Sequence, residues 1–504
     1  MKIKRVQGSI YIPVMIITTL FVSLGITATT YVINQSRLAN RQIYKEMSFQ
    51  VAEAGIEYYR WHLAHDKKDF QDGTGAPGPY VHEYTDANGD EFGDFSLDIT
   101  PPLPGSTMVQ LVSTGNTAQH PNVTEVINVT MGRPSFTNFA VVANDNMRFG
   151  EGTEVFGPIH SNYGLRFDGL AHNIVSSSEI TYDDPDHGGG DEWAVHTHVA
   201  PTDPLPPTEI PSRTDVFMAG REVDRSGVNF AGISSQLNDL QAEAAENGIY
   251  LSDSSAEGYR VHFRTDDKVE IYRVMSQESC LKQVCFLIWC WWVNYTGTNL
   301  WSVDNQESFD YEGQDSADLD MPANGLIFIE DDVWVDGQID GARVTVVAAK
   351  TPYSTGNANI ITNNDLLYTS YDGTDAIGLI AQNNVYAGFY SEDDIRIDAA
   401  MIAQKGRIGR AYYPVSSGTF SPANCNENYV RDTLTNYGAI ATNNRYGYAY
   451  VCGDPPSPAC APCGTTSSGY CYRNLLYDDN FYFAPPPFFP ATDQYQVITW
   501  EETD

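Results

Sequence analysis

The chain has 504 residues, enough for two or three domains that each bury a core of their own. Its 65 acidic residues against 29 basic ones give a formal net charge of −36, which disfavours nucleic acid as a partner and favours divalent cations or basic surfaces. Aromatic residues reach 12%, with 31 Tyr, and the texture is that of an exported β-rich protein, not a helical one. At the N-terminus, Lys2, Lys4 and Arg5 precede Gly8-Ser9, and no charge follows from Val6 to Ser36. As a helix, Ile10 to Ile33 would span roughly 36 Å, against a hydrocarbon core of about 30 Å, with the basic leader on the cytoplasmic side. Three readings compete for this stretch: a cleaved signal peptide, a plain single-pass anchor, and a helix that continues. Ile26-Thr27-Ala28 is a poor signal-cleavage site.

The helical pattern does continue. Leu38, Ile43, Met47, Val51, Ala54, Tyr58 and Trp61 recur at steps of mostly three and four, while Arg37, Arg41, Lys45, Glu46, Glu53, Glu57 and Arg60 take the other faces. One helix from Ile10 to near Ala64 would be roughly 80 Å long, apolar in its first half and amphipathic in its second. The basic leader, Gly8 before the polar Ser9, the apolar helix and the run Gln50-Val51-Ala52-Glu53-Ala54-Gly55-Ile56-Glu57 resemble the N-terminus of type IV pilin-like proteins, in particular minor pilins of the PilX type. The resemblance extends to His65. It implies a leader of residues 1–8 removed by a prepilin peptidase between Gly8 and Ser9, and a transmembrane, pilin-like helix over 9–65. It further implies insertion in the cytoplasmic (inner) membrane with the bulk of the chain extracytoplasmic, and assembly with other pilin-like subunits at the cell surface. Major pilins carry Glu at the fifth mature position, where this chain has Pro13. Proline is tolerated in a first helical turn. The missing Glu points to a minor or pilus-tip subunit, away from the bulk filament.

After a polar break from His65 to Gly78, short strands are expected at Tyr80–Tyr84, Phe92–Ile99, Met108–Thr114 and Val123–Met131, a small antiparallel β unit over 66–135. Within Asp86-Ala87-Asn88-Gly89-Asp90 the glycine is out of register for a calcium loop, and the segment reads as a hairpin turn. From Phe139 a pattern repeats: Ala140–Phe149, Gly157–Phe167, Gly325–Val335, Gly378–Ala387, Ala400–Ile408 and Gly438–Tyr446. Each block is a small residue, a short apolar strand, an Asn- or Gly-bearing corner and a second strand. Stacked coils of a β-solenoid require this, since Asn and Gly tolerate left-handed backbone at corners. A β-sandwich of repeated hairpins is the alternative. The solenoid-like domain is read in two parts, 136–275 and 321–504, around a Cys/Trp-rich insertion at 276–320. Its later blocks look like C-terminal regions of uncharacterised bacterial surface proteins with this kind of N-terminus, a resemblance that brings no catalytic residues.

Thr181 to Ser212 reads as a long surface loop, Ile233 to Asn247 as a short helix stopped by Gly248, and Tyr259–Arg264 with Val269–Val274 as a hairpin. Cys285-Phe-Leu-Ile-Trp-Cys-Trp-Trp-Val293 is either an exposed adhesive patch or a small buried core tied by disulfides, and burial is favoured. Eight cysteines, Cys280, Cys285, Cys290, Cys425, Cys452, Cys460, Cys463 and Cys471, are all candidates for disulfides. They fall into two odd-numbered groups, so one bridge can join the groups, with connectivity open.

Catalytic chemistry is thin. His196-Thr-His198 puts two imidazoles on one strand face near Asp183, Asp184, Asp186 and His187, but exposed loop residues are the favoured reading, and no metal or cofactor is expected. Glu330-Asp331-Asp332 and Glu392-Asp393-Asp394 offer carboxylates for polysaccharide cleavage, or serve as turn residues. No nucleophile elbow or phosphate loop is present. The sequence therefore supports a non-enzymatic structural or adhesive surface subunit whose β region meets a surface glycan or protein. The alternative is a membrane-tethered β-helix enzyme acting on extracellular polysaccharide.

Overall fold

The computed structural model describes residues 10–86, 88–102, 107–133, 136–230, 237–295, 299–414, 416–451, 463, 466–482, 484–490 and 495–503. Gly8, Ser9, Cys452 and Cys460 lie outside the described residues, as do 233–236 of the expected second helix. The chain divides into two compact units, a smaller one of residues 1–101, 108–132 and 493–504 and a larger one of 102–107 and 133–492.

In the smaller unit a single helix, α1, runs from Tyr11 to His65 over 55 residues. Its apolar half contains several Thr and Ser, and these hydroxyls bond back to carbonyls about one turn earlier, as Thr18 does to Val14 and Thr27 to Ser23. The second half buries Ser48, Val51, Ala52, Gly55, Ile56, Tyr59 and Leu63, a stripe at steps of three and four. That stripe lies on an antiparallel sheet of β1 (Tyr80–Thr85), β2 (Glu91–Thr100), β3 (Val109–Thr117) and β4 (His120–Gly132). The two surfaces meet through small residues. A Cβ on Gly115 would come within 2.3 Å of Ser48 O and Ala52 N, and one on Gly55 within 2.5 Å of Ser113 Oγ. Ser113 Oγ–H donates to Ala52 O at 2.7 Å. The Asp86 turn is a hairpin corner held by its own carboxylate, which accepts from the Asn88 and Asp90 N–H groups. A fifth strand, Gln496–Thr503, pairs antiparallel with β4. The sequence reading assigns these residues to the large β domain; the structure places them in the small sheet.

The larger unit is built mainly of parallel strands, and the repeated sequence blocks occupy equivalent positions in it. One ladder of paired residues runs Ile249, Ile327, Val346, Leu379, Met401, Ile440, Val141, Ile159, Val175 and Arg221. A second runs Phe263, Gly337, Leu366, Ile397, Asn436, Leu475, Val155, Ala171 and Phe217. Between them lie Val333, Ile360, Val385 and Ile408, and, elsewhere in the stack, Met147, Leu165 and Val195. Three-sided coils stacked in parallel register account for all three sets, the arrangement expected of a solenoid and not of a sandwich of hairpins. Burial of Ile327, Val346, Leu379, Met401 and Ile440 is complete, and each such side chain contributes about 1.5–3 kcal/mol.

The order of the coils is not the order of the chain. Strands Val430–Thr442 and Thr466–Tyr477 lie between Asp394–Ala403 on one side and Val141–Ala143 with Thr153–Phe156 on the other. The first coil in sequence thus docks on the last. Asn162 donates to Asn144 and Asn144 to Asn443, so an asparagine ladder crosses this seam at the corners. Buried Arg473 fastens it again, donating to Thr153 Oγ1 and the Gly150 and Glu151 carbonyls. Helix α2, Leu237–Asn247, packs on Leu326–Ile329 and Ile249–Leu251 and ends before Gly248, as expected.

Candidate functional site

Three features remain that packing within the fold does not account for. The first is the N-terminal half of α1. It holds an apolar window of mean hydropathy 1.9, none of it buried, and Ile10, Tyr11, Phe21, Leu24 and Val32 are each more than 60% exposed. Such a surface needs lipid or other helices around it.

The second is a hairpin. Leu281–Phe286 pairs with Trp289–Asn294, and Cys285 lies opposite Cys290 and is bonded to it. At its root Cys280 is bonded to Cys425, the bridge between the two cysteine groups, and Leu281–Lys282 pairs with Phe420–Ser421. A third bridge joins Cys463 to Cys471. Cys280, Tyr295, Phe389, Tyr413, Phe420 and Cys425 form a small core under the root. The expected burial of Cys285–Val293 stops there. Phe286, Leu287, Ile288 and Trp289 are 69%, 86%, 88% and 73% exposed, and Trp291 and Trp292 are nearly half exposed. A two-stranded hairpin has no second layer to cover its tip.

The two acidic groups serve the coil corners. Asp331 takes Lys350 Nζ at 2.7 Å and Ser254, Asp332 accepts from the Asn359 backbone and side chain, and Glu330 takes Gln241 and Thr351. Asp393 accepts from the Asp432 N–H. Burial, with Asp365 and Asp336 nearby, raises the Glu392 carboxyl above its usual range. No hydrogen bond joins one group to the other among the described residues. A cleft of about 430 Å³ is lined by Arg260, Trp334, Asp336, Asn363, Asn364 and Tyr390. There Asp336 is tied up by Arg260, His262 and Asn364.

The third feature lies in the segment read as an exposed loop. Thr181–Tyr182 pairs with Glu192–Trp193, and Val195–His196 runs parallel to Leu165–Arg166. These pairings fold the loop onto a coil. Asp184, Glu192 and His196 end up 3%, 4% and 2% exposed, so solvent exposure is wrong for His196 and Asp184; Asp183 and Asp186 do stay outside. With His198 they form a cluster in which one donor atom from each lies within 4.8 Å of all the others. His196 Nε2 is 3.0 Å from Glu192 Oε2 and 3.7 Å from Asp184 Oδ2. His198 Nε2 is 2.9 Å from Glu192 Oε1, and His187 Nδ1 is 3.1 Å from the same oxygen. Burial alone would raise the Asp184 carboxyl, but His196, the Asp186 N–H and the Arg166 charge outweigh it and hold it well below the usual range. Burial lowers the His198 imidazole despite its bond to Glu192. Glu192 escaped the sequence reading; its signal is a spacing of four before His196 and six before His198.

No family model and no curated protein matches the chain. Among solved structures, the competence-associated pilin ComZ from Thermus thermophilus aligns over 91% of this chain and 97% of its own, at 12% identity and a TM-score of 0.29. An ice binding protein from an Antarctic biological consortium aligns over 62% of this chain and 84% of its own, at 10% identity and a TM-score of 0.23. At these scores neither alignment bears on function.

Proposed function

We propose that this protein is a non-enzymatic, pilin-like cell-surface subunit, anchored and assembled through α1, and that its larger unit makes adhesive contacts. The observation that carries the reading is the division of one continuous helix: the second half buries a stripe on its own sheet, while the first half is uncharged, predominantly apolar and uncovered. A helix that served only as an anchor would not need to continue into a folded head as a rigid rod. In the proposed subunit the apolar half sits first in the cytoplasmic membrane and then against the helices of other pilin-like subunits, after a prepilin peptidase cuts between Gly8 and Ser9. Pro13, in place of the glutamate of major pilins, supports a minor or tip role. The exposed aromatic hairpin supports adhesion, with a surface glycan or a protein as the ligand.

Intact-mass analysis of the protein from peptidase-positive and peptidase-negative cells tests the assembly reading. A mature chain beginning at Ser9 only when the peptidase is present is expected; an uncut Met1, or a cut near Ala28, overturns it. For adhesion, replacing Ile288 and Trp289 by Ser should lower surface binding by cells about tenfold while leaving assembly unchanged, since both residues lie beyond the hairpin root.

A further inference from the structure

The Asp184, Glu192, His196 and His198 cluster is incomplete as a set of hydrogen bonds. Asp184 Oδ2, Glu192 Oε2 and His196 Nε2 are all buried, and none of the three has a hydrogen-bond partner of proper geometry. Three orphaned polar atoms at one point are costly, and native folds rarely leave them so. The orientation of His196 sharpens the point. Its Nδ1 lies 3.0 Å from Trp193 O. A carbonyl can only accept, so Nδ1 carries a hydrogen, and Nε2 is the nitrogen aimed at the two carboxylates. A ring fixed by a backbone carbonyl on one nitrogen, with the other free, is the usual setting of a metal-ligating histidine. Arg166 Nη1, 3.6 Å from Asp184 Oδ2, adds charge there but lies beyond hydrogen-bond reach, while its Nε is held at 2.7 Å by Asp168.

We infer that Asp184, Glu192, His196 and His198 form a structural site for a divalent transition-metal ion of the zinc class. Two imidazole nitrogens and two carboxylate oxygens suit zinc and its first-row neighbours; calcium takes six to eight oxygens. Two carboxylates carry the charge that one dication cancels. Four protein ligands, three of them buried, fill a tetrahedral ion's positions and leave none open for a substrate, so the role is to hold the segment 181–198 down on the strand Leu165–Phe167. His187 is exposed, with its ring centroid 4.5 Å from that of His198. The inference is independent of the pilin reading, since it concerns only the coil stack.

The test uses the full-length chain in detergent, stripped with a chelator and then given Zn²⁺, Co²⁺ or Ca²⁺ alone. Retention of about one equivalent of Zn²⁺ after dialysis, a Co²⁺ visible spectrum of tetrahedral type and a Tm raised by several degrees are expected. Glu192→Gln and His198→Ala should each weaken retention by about tenfold or more. His198 is the less buried ligand, so its variant should keep the wild-type circular dichroism if His196→Ala does not. No retention of Zn²⁺ or Co²⁺ overturns the inference, as does retention that Glu192→Gln and His198→Ala leave unchanged, or binding of Ca²⁺ in preference to Zn²⁺.

Discussion

Asp331 is 2% exposed, and on desolvation grounds its carboxyl should rise. Lys350 at 2.7 Å and two bonds from Ser254 outweigh that and hold it below the usual carboxylate range. A group whose folded pKa is depressed stabilises the fold above its unfolded pKa, about 3.9, and loses that contribution as pH falls through the folded value. Asp331→Asn is therefore expected to lower Tm clearly at pH 7, with the gap from wild type closing below about pH 4. A gap that stays constant across that range would count against this account. Arg410 illustrates the opposite balance: its fully buried guanidinium donates to the carbonyls of Gly388, Phe389, Asn428 and Tyr429, and burial pulls it down to about 10. Neither assignment was legible in the sequence. Asp331 reads as one of three adjacent acids, because local sequence does not encode that Lys350 is brought to 2.7 Å from it; Glu192, four residues before His196, reads as a loop residue because the inward fold that buries both is not written in their spacing.

Among the elements, α1 was the most legible, since its period needs no partner to be recognised. The sequence pattern places Val51 on the packed face, and it is buried there, but it also places Trp61 there, which is 60% exposed; the packed stripe runs instead through Ala52, Ile56, Tyr59 and Leu63. The closeness of helix to sheet was not legible, because it depends on Gly115, more than fifty residues away in sequence and only adjacent after folding. Gly115→Val should cost about 3 kcal/mol, the upper end for overpacking, since the clash is with helix backbone and no side chain can swing clear. Hydrogen exchange is expected to rise through both β3 and the second half of α1. Gly25→Ala is the control: nothing lies within 4 Å of a Cβ there, so the isolated protein should be unaffected. An equal effect from the two changes would refute the close-packing explanation. The hairpin tip was read wrongly because an apolar run signals burial only when a second layer exists to cover it, and here the two strands stand alone beyond their disulfide-tied root.

For the whole molecule the stack order carries the consequences. Leu475 pairs with Asn436 on one side and Val155 on the other, joining segments far apart in the chain. Leu475→Ala should cost about 2–5 kcal/mol. Exchange protection should then fall together in Val430–Thr442 and in Thr153–Phe156; a loss confined to Thr466–Tyr477 would contradict the seam. Closing such distant contacts also predicts slow refolding, because the chain must fix long loops before the first coil finds the last. By itself the sequence determined the long two-part helix, the small antiparallel sheet and the repeating coil blocks, because periodicity, capping and corner residues act over one or two turns of chain. Only the tertiary structure decided which coil stacks on which, that the last strand returns to the small sheet, and that two histidines and two carboxylates of one loop turn inward together. Those outcomes depend on pairing between backbone edges, and a parallel edge accepts any strand of matching period, so proximity in space and not order in the chain selects the partner.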